Sequence, residues 1–150
     1  MWDPLSEFNH AIFPNGIELH SARWANRPWQ MVCFVVHSGS DADPLGAEGS
    51  AHFIEHLISE SSNFNQKNVK DFFNRVGGSI SFGHTGYSAT LFSFFGPAEE
   101  KFLIRGFNIF GKMFFENTLD GNLESNRAII LAEFDRYFDV EHKYHLTLLE

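Results

Sequence analysis

Disulfide chemistry within this chain is closed off by composition, because the sequence holds one cysteine. That residue, Cys33, lies in the unbroken apolar run 31–36 and reads as a small buried hydrophobe. Cations are scarce: 11 Lys and Arg face 19 Asp and Glu, for a formal charge of −8. An acidic surface with scattered cations repels phosphate backbones and anionic headgroups, which argues against nucleic acid and membranes as partners. No apolar run reaches the roughly 18 residues that a membrane-spanning helix needs. Residues 1–7 lack the basic and apolar segments of a secretory leader, so the expected address is the cytoplasm. Internal repeats and low-complexity tracts are also missing.

What the chain has in excess is phenylalanine, 18 in 150 residues, within an overall apolar content of 43%. That is enough to close one aromatic-rich core in a single domain, residues 1–150. After the Asn15-Gly16 turn, residues 17–22 alternate as a strand with one wet face, and 30–37 read as a central strand covered on both faces. A loop rich in Gly and Asp (38–46) leads to a helix near 47–59. A second helix, 66–76, carries the stripe Val69, Phe72, Phe73 and Val76, and Gly77-Gly78 stops it. Strands 79–85 and 88–95 follow. Gly96-Pro97 opens a helix with Glu99 and Glu100 at its positive end and Leu103, Phe107, Phe110 and Phe114 as its stripe. The last helix runs from Leu123 past Tyr144 with Ile130, Phe134, Tyr137 and Phe138 turned inward. The order β-β-α-α-β-β-α-α predicts an α+β fold, helices packed on a mostly antiparallel sheet.

The chemistry concentrates in the helix at 47–59, which contains H-x-x-E-H as His52, Glu55 and His56. At 100° per residue, His56 lies about 40° from His52 and Glu55 about 60° to the other side. Two imidazoles can then converge on one metal ion, with a carboxylate beside them to take a proton from water. A chance pair of histidines on an amphipathic helix is the plainer explanation of the motif by itself. This order of residues is the inverzincin signature, the reverse of H-E-x-x-H.

A catalytic zinc site usually takes three protein ligands. The chain resembles the pitrilysin/insulinase-type zinc peptidases, in which a glutamate ligand follows the second histidine after 76 intervening residues. Counted from His56, that position is Glu133. The resemblance implies the α/β roll shared with processing peptidases, a Zn²⁺ held by His52, His56 and Glu133, and Glu55 as general base in peptide hydrolysis. It implies that Ser79, Ile80, Ser81 and Phe82 supply an edge strand to which extended substrate pairs through its backbone. The family carries Asn-Ala where this chain has Ser81-Phe82. It carries a second glutamate seven residues before the distal ligand, where this chain has Asn126, a side chain that can still hydrogen-bond in the outer shell of the metal. The family's domain extends beyond the last helix, and a second homologous domain or subunit closes over the site. The chain therefore reads as an incomplete N-terminal domain acting on peptides or small unfolded proteins.

Two other classes compete. A catalytically weak or inactive homologue would serve as scaffold or regulatory subunit of an active peptidase; Asn126 favours it, whereas the four intact residues oppose it. The autoinducer-2-producing lyase shares the H-x-x-E-H helix, but its third ligand is a cysteine downstream of the motif, and Cys33 lies upstream. Among the remaining histidines, His84 reads as a surface or groove residue and His142 and His145 as solvent-facing. His10, His20 and His37 carry no pattern.

Overall fold

The computed structural model describes residues 8–23, 26–60, 65–119 and 123–147, with side-chain surroundings defined as far as Arg136. The elements run β1 (Phe8–Ile12), β2 (Glu18–Ala22), β3 (Trp29–Val36), a 3-10 turn (Ser40–Ala42), α1 (Ser50–Ser59), α2 (Gln66–Arg75), β4 (Ser79–Ser81), β5 (Thr90–Pro97), α3 (Glu100–Phe115) and α4 (Leu123–Thr147). The fold is α+β with antiparallel sheets. One strand, β1, is additional to the sequence reading. It forms a separate two-stranded sheet with β2, closed by the Asn15-Gly16 turn. Gly16 takes φ +85, and its amide donates to the Phe13 carbonyl at 2.9 Å. Both faces of this hairpin are exposed, Ile17 and Leu19 included, so it has no dry side.

The main sheet has the order β3-β5-β4. Alternation along β5 sends Phe92 and Phe94 inward and Leu91 and Phe95 outward. Val32 and Phe34 of β3 join the inner face, where Phe73 of α2 and Phe102, Ile109, Phe110 and Met113 of α3 complete the core. The phenylalanines pack as a network of offset and edge-on rings. Phe94 stacks on Phe110 with centroids 5.9 Å apart, and Phe92 meets Phe114 edge-on at 5.0 Å. α3 lies this close because residue 106 is glycine: a Cβ there would stand 2.4 Å from the Phe94 ring.

Several expectations are corrected. β3 is an edge strand, because β5 pairs it on one side only among the described elements. Its outer face, with Met31 and Val35, is open, and Cys33 lies on that face as an exposed free thiol. An apolar run has no alternation from which to tell one covered face from two. Gly96-Pro97 ends β5 opposite Gln30 and Trp29 instead of opening a helix; α3 begins at Glu100, with Glu99 as its N-cap. The inward stripe of α3 is rotated toward Phe102, Gly106 and Ile109, leaving Phe107 half-exposed though still against Phe34 and Phe94. Phe134 is 46% exposed instead of buried. The side chains of Tyr137, Phe138, His142 and His145 fall outside the described residues.

Candidate metal centre

α1 is held at both ends by groups distant from its own sequence. At its start, Gly49 adopts φ +92, a conformation that favours glycine. The Asp43 carboxylate accepts hydrogen bonds from the amides of Gly49 (2.7 Å) and Ala51 (2.8 Å), satisfying donors that a helix leaves unpaired. The loop carrying Asp43 is pinned in turn: Ser40 and Asp41 amides donate to the Gly86 and Tyr87 carbonyls at 3.1 and 2.9 Å. Beside it, the Gly46 amide donates to Glu48 at 3.0 Å, and this backbone contact holds the Glu48 carboxyl below the ordinary carboxylate range. At the far end, Asn117 Nδ2 donates to the Ile58 carbonyl (2.6 Å) and Gln66 Nε2 to that of Ser59 (2.9 Å).

On this fixed helix His52 and His56 bring their Nε2 atoms to 3.2 Å. Glu133 arrives from α4, its Oε2 lying 3.3 Å from His52 Nε2 and 3.6 Å from His56 Nε2. A tetrahedral zinc with bonds of about 2.0–2.1 Å places its ligand atoms about 3.3 Å from one another. The three observed separations bracket that value, so the donor set fits the ion in both chemistry and spacing.

Glu55 sits on the adjacent sector of α1 and is 9% exposed. Thr85 Oγ1 donates to its Oε2 at 2.7 Å. Thr90 packs behind, its hydroxyl 3.5 Å from that of Thr85 and donating to the Ser38 carbonyl at 2.9 Å. Gly83 leaves the space the carboxylate fills, since a Cβ at 83 would lie 2.2 Å from Glu55 Oε1. The four side chains line one open cleft of about 770 Å³ together with His84, Thr85 and Arg136. Thr85, Gly83 and Arg136 were absent from the sequence reading. Their roles depend on how the β4–β5 connection and α4 cross α1, and no local pattern announces them.

The other sequence-predicted positions are distributed differently. Ser79, Ile80 and Ser81 form β4, which is the outer strand of its sheet and pairs only β5 among the described elements. Phe82 is buried in the aromatic core at 8% exposure, so its ring faces away from any groove and only its backbone could meet a ligand. Asn126 lies two turns before Glu133 on the same face of α4. It is fully buried, and neither Oδ1 nor Nδ2 has a hydrogen-bond partner among the described residues.

Comparison with curated protein sequences finds no match. Solved structures do resemble the chain. The first half of the periplasmic protease PqqL from Escherichia coli superposes with a TM-score of 0.72 at 19% identity, covering 87% of this chain and 29% of that one. A protease from Helicobacter pylori gives 0.70 at 21%, covering 84% and 30%. Pitrilysin gives 0.69 at 23%, covering 85% and 14%. At these identities the likeness is one of fold, and this chain spans less than a third of each. The family description "Insulinase (Peptidase family M16)" matches residues 24–148, and the chain belongs to that peptidase family.

Proposed function

We propose that this chain is the metal-holding part of a zinc-dependent endopeptidase, residues 1–150 forming part of an N-terminal catalytic domain. The observation that carries the reading is the convergence of His52, His56 and Glu133 at zinc-like separations on a helix beside a buried carboxylate. Zinc held by these three residues would act as a Lewis acid, drawing electron density from a scissile carbonyl and making water more acidic. Glu55 takes a proton from the attacking water and passes it to the departing amine. Thr85 fixes Oε2 of that carboxylate, leaving Oε1 to carry the proton. The free edge of β4, at Ser79, Ile80 and Ser81, binds extended peptide through main-chain hydrogen bonds, which suits peptides or small unfolded proteins. Asn126, whose amide has no partner among the described residues, would hydrogen-bond in the outer shell of the ligands once the metal is bound.

The cleft is open on this chain, and a second homologous domain or subunit would close it; the small share of each solved relative that the chain spans supports such a partner. Among the described residues no helix is long and apolar enough to cross a membrane. An exposed unpaired thiol at Cys33 suits the reducing cytoplasm, while PqqL is described as periplasmic; cell fractionation separates the two addresses.

The test is paired. Purified protein should carry one zinc equivalent in the cleft, and Glu133→Ala should lose that equivalent. Glu55→Gln should retain the zinc and slow cleavage of a quenched peptide by about 10²–10⁴-fold. A non-catalytic subunit is the competing reading, favoured by Asn126. Zinc bound with no hydrolysis in the parent, even beside the closing partner, would establish it.

A further inference from the structure

Away from the cleft, the β1–β2 hairpin brings together three side chains to which the sequence gives no shared pattern. The antiparallel register sets His10 directly opposite His20, with Asn15 midway between them in the turn. Glu18 precedes His20 by two residues and therefore shares its face. The result is a convergence of ligand atoms: Glu18 Oε2 lies 3.3 Å from His10 Nε2 and 3.5 Å from His20 Nε2. The two imidazoles stack with centroids 4.4 Å apart and planes 10° from parallel, both nitrogens turned to the same carboxylate. All three ligand atoms fall within 4.8 Å of one another, as do those of His52, His56 and Glu133.

We propose that His10, Glu18 and His20 form a second divalent-metal site, open to solvent, that ties β1 to β2. The donor set of two imidazoles and one carboxylate selects ions of the zinc-to-copper end of the first transition row, with water filling the remaining positions. The ion has a structural use. All ten strand residues of this hairpin are exposed, and a two-stranded hairpin without an apolar face is marginal in water. A ligand from β1 and two from β2 around one ion cross-link the strands, so metal binding and hairpin formation are linked. The side chains are 44% (His10), 52% (His20) and 56% (Glu18) exposed, leaving the rings free to turn a few degrees onto the ion.

The site is tested with the metal-stripped full chain and Zn²⁺, by calorimetric titration and by amide exchange over residues 8–22. The parent should bind two equivalents, and the double variant His10→Ala/His20→Ala one. His52→Ala/His56→Ala should also bind one, which separates this site from the cleft. A parent binding a single equivalent that His10→Ala/His20→Ala abolishes would support the hairpin site while removing the cleft site. Glu18→Gln keeps both rings and leaves the core untouched; it should weaken the hairpin equivalent about tenfold. Zn²⁺ should slow amide exchange in the hairpin of the parent and leave it unchanged in the double variant. Equal stoichiometry in the parent and in His10→Ala/His20→Ala, or exchange in the hairpin indifferent to Zn²⁺, overturns the proposal.

Discussion

Replacing Gly83 by alanine isolates the positioning of Glu55 from the binding of metal. A Cβ at residue 83 would stand 2.2 Å from Glu55 Oε1, 2.3 Å from Cγ and 2.4 Å from Cδ. Real Cβ contacts essentially never fall below 3.0 Å, so the carboxylate must retreat by about 0.8 Å or more (3.0 − 2.2). The retreat acts on a group held by a 2.7 Å bond from Thr85 and enclosed to 9% exposure. Misplacing a reacting group by about 1 Å costs on the order of 10²-fold in rate. The φ of +155 at this position adds backbone strain, and overpacking costs about 1–3 kcal/mol of stability. The three atoms nearest the new methyl all belong to Glu55 and none to a proposed metal ligand. Gly83→Ala should therefore keep the zinc of the cleft, melt a few degrees lower, and cleave a quenched peptide about 10²-fold more slowly in single-turnover assays. A folded, zinc-loaded variant cleaving within about threefold of the parent would refute the proposal that Gly83 positions the base.

Other consequences are equally direct. Asp43→Ala removes the acceptor for the Gly49 and Ala51 amides and should lower stability by about 0.5–2 kcal/mol in denaturant titration, with zinc affinity falling as the start of α1 frays. Gly106→Ala gains about 1 kcal/mol of helix propensity, yet its methyl enters the Phe94 ring, itself enclosed by Phe73, Phe102, Phe107 and Phe110. Rings so enclosed cannot swing aside, so thermal melting should show net destabilisation. Asn126→Leu removes two buried polar atoms that lack partners among the described residues and should raise the melting temperature of the metal-free protein. If the amide serves the outer shell as proposed, the same substitution should weaken zinc binding by about 10–100-fold in a chelator competition, and unchanged affinity would remove it from that role.

What could be read from the chain followed the range of the interactions involved. His52, Glu55 and His56 are set on one sector by helix geometry alone, so their proximity is legible within five residues. Glu133 is 77 positions from His56 (133 − 56), and only the spacing shared with a family pointed to it. Thr85 and Gly83 could not be read, because their relation to Glu55 arises where the β4–β5 connection passes α1. The edge position of β3 was hidden for another reason. Residues 31–36 are apolar at every position, so period-two alternation, the signal that marks an open face, is missing there although Cys33 and Val35 are exposed. The facing of His10 and His20 follows instead from the turn between them. A turn centred on Asn15 with a strand on each side dictates that residues 10 and 20 face each other.

The ways in which the site is mounted also differ along the chain. α1 is anchored by backbone contacts at both ends: Asp43 at the start, Asn117 and Gln66 at the finish. Its two histidines and Glu55 are thus carried as one rigid piece, and the Glu55 carboxylate is further clamped by Thr85 and Gly83. Glu133 alone comes from a different element, and among the described residues Asn126 and Ile130 are the buried ones on its face of α4. The seating of α4 therefore governs whether a third donor reaches the imidazoles, while the pairing of His52, Glu55 and His56 persists without it. A substitution that loosens α4, such as Ile130→Ala, empties a buried side chain and should cost about 2–5 kcal/mol. Because the seating is shared, zinc affinity should fall with it even though all three ligands remain, whereas truncation of Phe110, which packs in the aromatic cluster and not on α4's described buried face, should reduce stability with a smaller effect on zinc.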